Sequence, residues 1–363
     1  MKFLSLEKEV FGLDISDLSL KIIKLKKKKK FFSLASFNQM EIKPGVIEKG
    51  VIQDEDTLAK IIKVACKNVK GEKLNTKYVA VSLPEEKSFL QVIQVPKMEE
   101  KELRSAILFE AENHIPLQIS EVYLDFQTIT PIKDNLNHLD VLIVAMPKKI
   151  VNSYVSCLKK AGLIPLIFEI ESEAIARALV ENEPGTSPVV LIDFGKNSTD
   201  FIVFAGRSIQ FTYSIPISSQ QLTIAISKSL KIDLEKAEKL KIKYDLIDTK
   251  TDSRSKEILQ AISPILDDLT IQIKKYLNFY QDHASHEHLP SNEKIKKIFL
   301  CGGGASLKGL PEFLSEKLEI PVELGYFWRN FSSKQLNDEI YQNSLSFVTA
   351  LGLALRGIKN SPD

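Results

Sequence analysis

Two stretches of this chain repeat one another at a fixed distance. FGLDISDLSLKIIKL starts at Phe11 and VVLIDFGKNSTDFIVF starts at Val189. Laid side by side, Asp14 falls on Asp193, Ser16 on Gly195, Ser19 on Ser198 and Lys21 on Asp200, and 193 − 14, 195 − 16, 198 − 19 and 200 − 21 all give 179. Each copy reads as an apolar strand ending in an acid, a small polar turn and a returning apolar strand. Two such hairpins imply two similar lobes. A duplicated lobe facing itself encloses a cleft, the usual place for a ligand.

The rest of the chain alternates in the way an α/β protein does. Strand patterns at 9–15, 18–26 and 29–38 precede a helix over about 54–68 and a strand at 77–84. From 86 to 166 the texture changes to a compact unit: a strand at 89–96, a helix over 98–115, strands at 122–130 and 139–146, and a helix closed by Gly162. PLIFEI (165–170) reads as a short buried strand and ESEAIARALVEN as a helix. EPGTSP (183–188) reads as a linker, after which strand, turn, strand, turn, strand returns. Helical segments over 218–244 and about 254–283, the strand KKIFLC, a glycine triplet, the helix LKGLPEFLSEKL and an apolar helix SLSFVTALGLALRG complete the chain.

Turns lined with Ser, Gly and Thr present N–H groups and hydroxyls to an anion. Ser16, Ser19, Gly195, Ser198 and Thr199 are therefore candidate phosphate donors, and Lys21 is a charge partner. The strand-end acids Asp14 and Asp193 would repel phosphate directly, but they suit Mg²⁺ held through water, since that ion keeps much of its hydration shell. Strand-end Asp and small turn residues also occur in ordinary hairpins. The matched pair together with Gly302, Gly303 and Gly304 is what favours a phosphate site. The triplet itself is neither GxxxxGK[ST] nor GxGxxG.

Composition narrows the function classes. A net charge of +2 argues against nucleic acid as a partner. Cys66, Cys157 and Cys301 lie far apart, with no disulfide framework and no CxxC pair, which fits a reducing compartment. The opening MKFLSLEKEVFGLD carries acids where a secretory core would be apolar, and the longest apolar run, LDVLIVAM, falls well short of the roughly 20 residues a membrane span needs. The expectation is a cytoplasmic protein.

These motifs resemble those of the actin-like ATPase superfamily, which includes actin, Hsp70, sugar kinases, FtsA and PilM. FGLDISDLSLK resembles its first phosphate motif and LIDFGKNSTD, with Asn197, its second. FEIESEAIARAL resembles the first connecting helix, where Glu171 falls on the acid that orients attacking water. FLCGGGASLKGL, with Gly302 to Gly304 and Ser306, resembles the adenosine motif, and SFVTALGLAL the second connecting helix. AEKLK resembles the helix whose Glu238 and Lys241 flank purine and ribose; three apart, they share one face. PKMEEKELRSAILFEAENHIPLQISEVYLDFQ and LDVLIVAMPKKIVNSYVSCLKKAGLIP resemble the inserted subdomain of the PilM family of type IV pilus assembly proteins.

The resemblance implies an α/β, actin-like (ribonuclease H-like) two-lobed fold with duplicated βββαβαβα lobes and an inserted α+β subdomain. It divides the chain into 1–85, first lobe; 86–166, insert; 167–185, connecting strand and helix; 186–343, second lobe; and 344–363, a connecting helix returning to the first lobe, with the tail. It implies ATP or ADP with Mg²⁺ as ligands, weak turnover at most, and an adaptor role at the inner membrane reached through a partner. That partner is the cytosolic N-terminal tail of a PilN-like membrane protein, lying between insert and first lobe. Contact with other pilus platform proteins is implied too, and self-association is left open.

Three residues depart from the pattern: Ser16 and Ser172 stand where the family prefers Gly and Pro, and Asp17 adds negative charge beside the first turn. They favour binding over hydrolysis. An FtsA-like division protein, an actin-fold small-molecule kinase and a nucleotide-free scaffold are the rival readings. KLKKKKK (24–30) reads as a solvated hairpin tip, with contact to anionic lipid as the alternative. HASHEH, with His283, His286 and His288, reads as a polar loop, and Leu103, Ile107 and Leu108 as a core-facing helix stripe.

Overall fold

A computed structural model describes residues 8–28, 31–129, 137–180, 187–243, 245–247, 253–283, 294–326, 340 and 343–359. His286 and His288, Lys29 and Lys30, most of EPGTSP and the last four residues fall outside that set.

The first lobe begins with β1 (Val10–Ser16), β2 (Ser19–Lys28) and β3 (Phe31–Glu41), followed by the two-residue strands β4 (Ile47–Glu48) and β5 (Val51–Ile52). Next come α1 (Glu55–Lys67), β6 (Lys70–Gly71) and β7 (Tyr78–Leu83). The insert holds β8 (Phe89–Pro96), α2 (Glu100–His114), β9 (Val122–Ile129) and β10 (His138–Pro147). The chain returns through α3 (Lys148–Ala161), β11 (Ile164–Ile170) and α4 (Glu171–Leu179). The second lobe contains β12 (Val189–Phe194), β13 (Thr199–Ala205), β14 (Ser208–Ile215), α5 (Ser219–Leu230), α6 (Leu234–Lys243), α7 (Ser253–His283), β15 (Lys297–Cys301), α8 (Leu310–Leu318) and β16 (Val322–Leu324). A last helix, α9 (Val348–Lys359), follows a short 3-10 turn.

The duplication is visible in the sheets. The first runs β11-β7-β1-β2-β3-β6 and the second β16-β15-β12-β13-β14. Apart from the short β6, the two orders are the same. So are the directions: the three hairpin strands are antiparallel, and the two added strands run parallel to the first. The strand register explains the spacing of 179. Asp14 lies opposite Lys21 across β1 and β2, and Asp193 lies opposite Asp200 across β12 and β13.

Helices α4 and α9 fill the space between the sheets. α9 packs on β1, β2 and α4, and α4 reaches β13 and β14. One apolar cluster joins Ile23 and Phe37 of the first sheet, Ile175 and Ala178 of α4, Leu191 and Ile202 of the second sheet, and Ala350 and Ala354 of α9. The Arg177 guanidinium grips both oxygens of Glu169 and also donates to the Gly352 carbonyl (3.2 Å), tying α4 and β11 to α9.

Packing departs from chain order in three places. Helix α3 buries Ile150, Val151, Tyr154 and Leu158 against α1 and the first sheet, so it joins the first-lobe core although it lies within 86–166. Strand β11 is an edge strand, and Ile164 and Leu166 are exposed rather than buried, because only β7 pairs with it. The segment 218–244 is two helices. Lys231 adopts φ +52, ending α5, and the Asp233 carboxylate accepts the Lys236 N–H (2.8 Å) to start α6. In the insert, Leu103 and Ile107 are buried against the three-stranded sheet β8-β10-β9, whereas Leu108 and Phe109 face solvent.

Candidate functional site

The strand-end acids converge on one ammonium. Lys21 Nζ lies 2.9 Å from Asp14 Oδ2. Asp14 is buried, and its other oxygen accepts the Ser82 hydroxyl (3.1 Å), which itself accepts the Ile15 N–H (3.0 Å). Burial pulls the Lys21 ammonium down, but Asp14 first, then Asp193 and Glu171, raise it above its ordinary value. The lysine of the first hairpin is thus a neighbour to acids of both lobes and of α4.

Negative charge is in excess there. Burial pushes the Asp193 carboxyl from 3.8 up to about 6, with Lys21 opposing and Asp14 adding to the rise. Burial also raises Glu171 well above the carboxylate range, helped by Asp200 and Asp14 and opposed by the Glu85 N–H. Asp200 is raised by burial, then by Glu85 and Asp193, while the Ser214 hydroxyl, donating at 2.5 Å, opposes. Carboxyls crowded this way share protons or take up a cation. No group of three or more His, Cys, Asp or Glu among the described residues is spaced to ligate a metal directly. These residues therefore fit a divalent ion held largely through its own water.

A pH test follows. Asp193 ionises near 6 when folded and near 3.8 when unfolded, so the fold holds the proton more tightly. The more tightly held proton therefore stabilises the fold below about pH 3.8, and that stabilisation is lost as pH rises to about 6. Asp193→Asn is expected to shrink the difference in melting temperature between pH 4.5 and pH 7.5, both measured without added ligand. An unchanged difference would remove Asp193 from the buried acid group.

The two turns are built differently. Ser16 Oγ bonds the Ser19 carbonyl (3.1 Å) and hydroxyl (2.9 Å), closing the first. Asp17 turns away from that edge, accepting the Lys49 and Gly50 N–H groups (2.7 and 2.9 Å), so its charge is spent on the β4–β5 turn. In the second turn the Gly195 N–H donates to the Ser198 carbonyl (2.9 Å), and the Gly195 carbonyl accepts from Ser219 at the head of α5 (3.0 Å). Asn197 is exposed and Ser198 half-buried. Thr199 points inward instead. It is fully buried, and its hydroxyl donates to the Ile217 carbonyl (2.6 Å), which leaves that proton unavailable to a phosphate.

β15 pairs with β12 so that Cys301 lies beside Asp193, which delivers the glycine triplet to the acid cluster. The three glycines differ. At Gly302 (φ +86) an added Cβ would sit 2.1 Å from Asp193 Oδ1, and at Gly304 it would sit 2.6 Å from the Phe194 ring. At Gly303 it would meet nothing within 4 Å. Packing alone therefore accounts for two of them, and only Gly303 leaves open space. The Ser306 hydroxyl donates to the Gly303 carbonyl (2.6 Å).

Glu238 and Lys241 do share a face of α6, and they pair at 2.8 Å. The buried Lys241 ammonium also donates to the Ser219 carbonyl (3.1 Å) and the Thr223 hydroxyl (2.9 Å). All three of its protons are used within the protein. Contact with a ribose would require breaking one of these bonds, and the space beside Lys241, about 10 Å³, admits little more than a water.

Sequence reasoning passed over Glu85 and Ser82. Both sit at the end of β7, the strand parallel to β1, and both reach the acid group. The available signal was position, an acid just past the end of a buried strand, whereas Asp14 and Asp193 lie within theirs.

A second opening lies at the junction of insert and first lobe. Leu117, Glu121, Pro147, Lys148 and Lys149 line an open pocket of about 400 Å³. Nearby, Tyr123 is exposed, bonds Asn152 (3.2 Å) and lies under the Lys148 ammonium. No helix among the described residues is long and apolar enough to cross a membrane.

Comparison with known proteins agrees with this architecture. The family model for type IV pilus assembly protein PilM matches residues 12–358. The solved PilM–PilN type IV pilus biogenesis complex contains a chain 27% identical, with a TM-score of 0.81 over 97% of this chain and 99% of that one. MreB 5 of Spiroplasma citri bound to AMPPNP is 13% identical, with a TM-score of 0.56 and 97% of each chain covered, a likeness of fold. Among curated proteins, the cell division protein FtsA of Pseudomonas aeruginosa is 26% identical over 226 residues, 57% of this chain and 51% of its own length. This chain thus spans about half the length of the FtsA proteins it matches.

Proposed function

Since the chain belongs to the PilM family of type IV pilus assembly proteins, with an actin-like fold, we propose that it is a nucleotide-loaded adaptor. In this reading it binds ATP or ADP with Mg²⁺ in the cleft and the cytosolic N-terminal tail of a PilN-like membrane protein at the insert. It would then sit in the cytoplasm and reach the inner membrane through that partner.

The observation that carries the nucleotide half is the Lys21–Asp14 pair (2.9 Å), with Asp193 of the other lobe and Glu171 of the helix between them near enough to raise the same ammonium. Asp14 and Asp193 would hold the hydrated cation, and Lys21 would neutralise phosphate charge. The N–H groups around Ser16, Ser19, Asn197 and Ser198 would take phosphate oxygens, while that of Gly195 is spent on the Ser198 carbonyl and shapes the turn. Gly303 would let the main chain lie against the nucleoside. In bound Mg²⁺–ATP the metal ion would offset the charge of the acids and of the phosphates, and the polyphosphate would be gripped by both turns. Gripping from both sides favours the closed arrangement of the lobes, and a ligand shifts that balance only by its differential affinity for it.

The partner half is supported by the open pocket beside Leu117, which is 43% exposed and shares the lining with Lys148, Lys149 and Glu121. Titrating the purified chain with Mg²⁺–ATP and with a synthetic tail peptide tests both halves. Absence of nucleotide binding at millimolar concentration would sink the first. Leu117→Glu is expected to weaken the peptide at least about tenfold while leaving ATP affinity within about twofold. An unchanged peptide affinity would move the partner elsewhere.

A further inference from the structure

Glu85 and Glu171 hold one another through the main chain. The Glu85 N–H donates to Glu171 Oε2 (3.1 Å), and the Ser172 N–H donates to Glu85 Oε2 (3.1 Å). Two carboxylates and two peptide N–H groups close a ring between the end of β7 and the first turn of α4. Glu85 is 5% exposed and Ser172 fully buried, and neither Glu85 Oε1 nor Ser172 Oγ has a hydrogen-bond partner. A buried acid with one oxygen unsatisfied is costly, and it persists where the position serves something besides stability.

The ring also reaches across the cleft. The turn Glu85–Lys87 packs against β14 of the second lobe, the strand that carries Thr212, and burial raises the Glu85 carboxyl while Ser172 and Thr212 draw it back down. Ser172 supplies the second N–H of the ring, which a proline at that position would lack.

We propose that Glu85 is a positioning residue: it fixes the orientation of the Glu171 carboxylate and, through Thr212, makes that orientation depend on apposition of the two lobes. Its role toward the terminal phosphate rests on the nucleotide reading above, whereas its role in coupling β14 to α4 does not. Under that reading Glu171 would face the terminal phosphate, so a loose Glu171 would be felt by a triphosphate and hardly at all by a diphosphate.

The first test is hydrogen exchange on the full chain without nucleotide, following peptides that cover the start of α4 and β14. Glu85→Ala is expected to speed exchange in both by about tenfold, and Glu85→Gln, which keeps an acceptor oxygen, to restore α4. Thr212→Val, a mild change at a half-buried site, is expected to speed exchange at α4 as well. Unaltered β14 in Glu85→Ala together with unaltered α4 in Thr212→Val would overturn the coupling. Unaltered α4 in Glu85→Ala would overturn the positioning.

The second test is calorimetric titration with ATP and with ADP. Glu85→Ala and Ser172→Pro are each expected to lower ATP affinity about tenfold with ADP within about twofold, and the double variant to be no worse than either. Equal losses for both nucleotides would mark Glu85 as merely structural and overturn its role toward the terminal phosphate. If the wild-type chain binds neither nucleotide, the nucleotide reading fails and takes that role with it, and hydrogen exchange alone decides the coupling.

Discussion

Gly352→Leu is expected to yield no cooperatively folded protein, and Gly352→Ala to lower the melting temperature by roughly 2–4 °C. An added Cβ at this position would sit 1.9 Å from the Ala174 carbonyl oxygen and 2.5 Å from its carbon. Those are main-chain atoms of α4, so no rotamer can swing aside. Relief would require the two helices to separate. On its other side α9 meets β1, where a Cβ on Gly12 would lie 2.2 Å from the Ala350 carbonyl oxygen. The helix is therefore wedged between sheet and helix by two missing side chains, with Ala174, Ala350 and Ala354 completing the narrow seam. Overpacking such a seam costs on the order of 1–3 kcal/mol even after relaxation. Because the same seam joins the lobes, the loss should be global. Thermal unfolding followed by circular dichroism decides it, and a midpoint for Gly352→Ala within a degree of wild type would mean that α4 and α9 are free to part.

How much of this could be read from the chain depends on what kind of force fixes each feature. The duplicated hairpins were legible because strand register preserves spacing: Asp14 opposite Lys21 and Asp193 opposite Asp200 are the same two positions in each copy. The alternation of strand and helix was legible from periodicity. The direction in which a polar side chain points was not. Thr199 sits in a small polar turn, yet its hydroxyl is claimed by Ile217, eighteen residues on. Lys241 shares a face with Glu238, yet the carbonyl of Ser219, on another helix, draws its ammonium inward. Asp17 lies beside the first turn, and a distant pair of N–H groups turns it away. Glu85 was hidden for the same reason. In PEEK it looks like a solvated turn acid, and only packing against β14 and α4 buries it. Helix α3 shows the limit for domains, since chain order put it in the insert and apolar contact with α1 puts it in the first lobe.

The glycine triplet yields the sharpest separation between fold and ligand. Gly303→Trp is expected to melt within about 2 °C of wild type and to lose at least about 100-fold in ATP affinity, ~2.7 kcal/mol. Among the described residues nothing lies within 4 Å of the place its Cβ would take, so the side chain leaves the main chain without a clash. Gly303 stands two residues beyond Cys301, the partner of Asp193 across the sheet, and the nucleotide reading needs bare main chain there. Its neighbours should behave in the opposite way. A Cβ at Gly302 or Gly304 would meet the Phe194 main chain at 2.7 Å, and at Gly304 the Phe194 ring as well, so alanine at either is expected to lower the melting temperature directly. One glycine then answers to ligand and two to packing, within three consecutive residues. Melting curves and calorimetric titration of the three single variants separate these effects. If Gly303→Trp folds and binds ATP as wild type does, the open side of the triplet faces no nucleoside, and the loop is a strand-to-helix turn and nothing more.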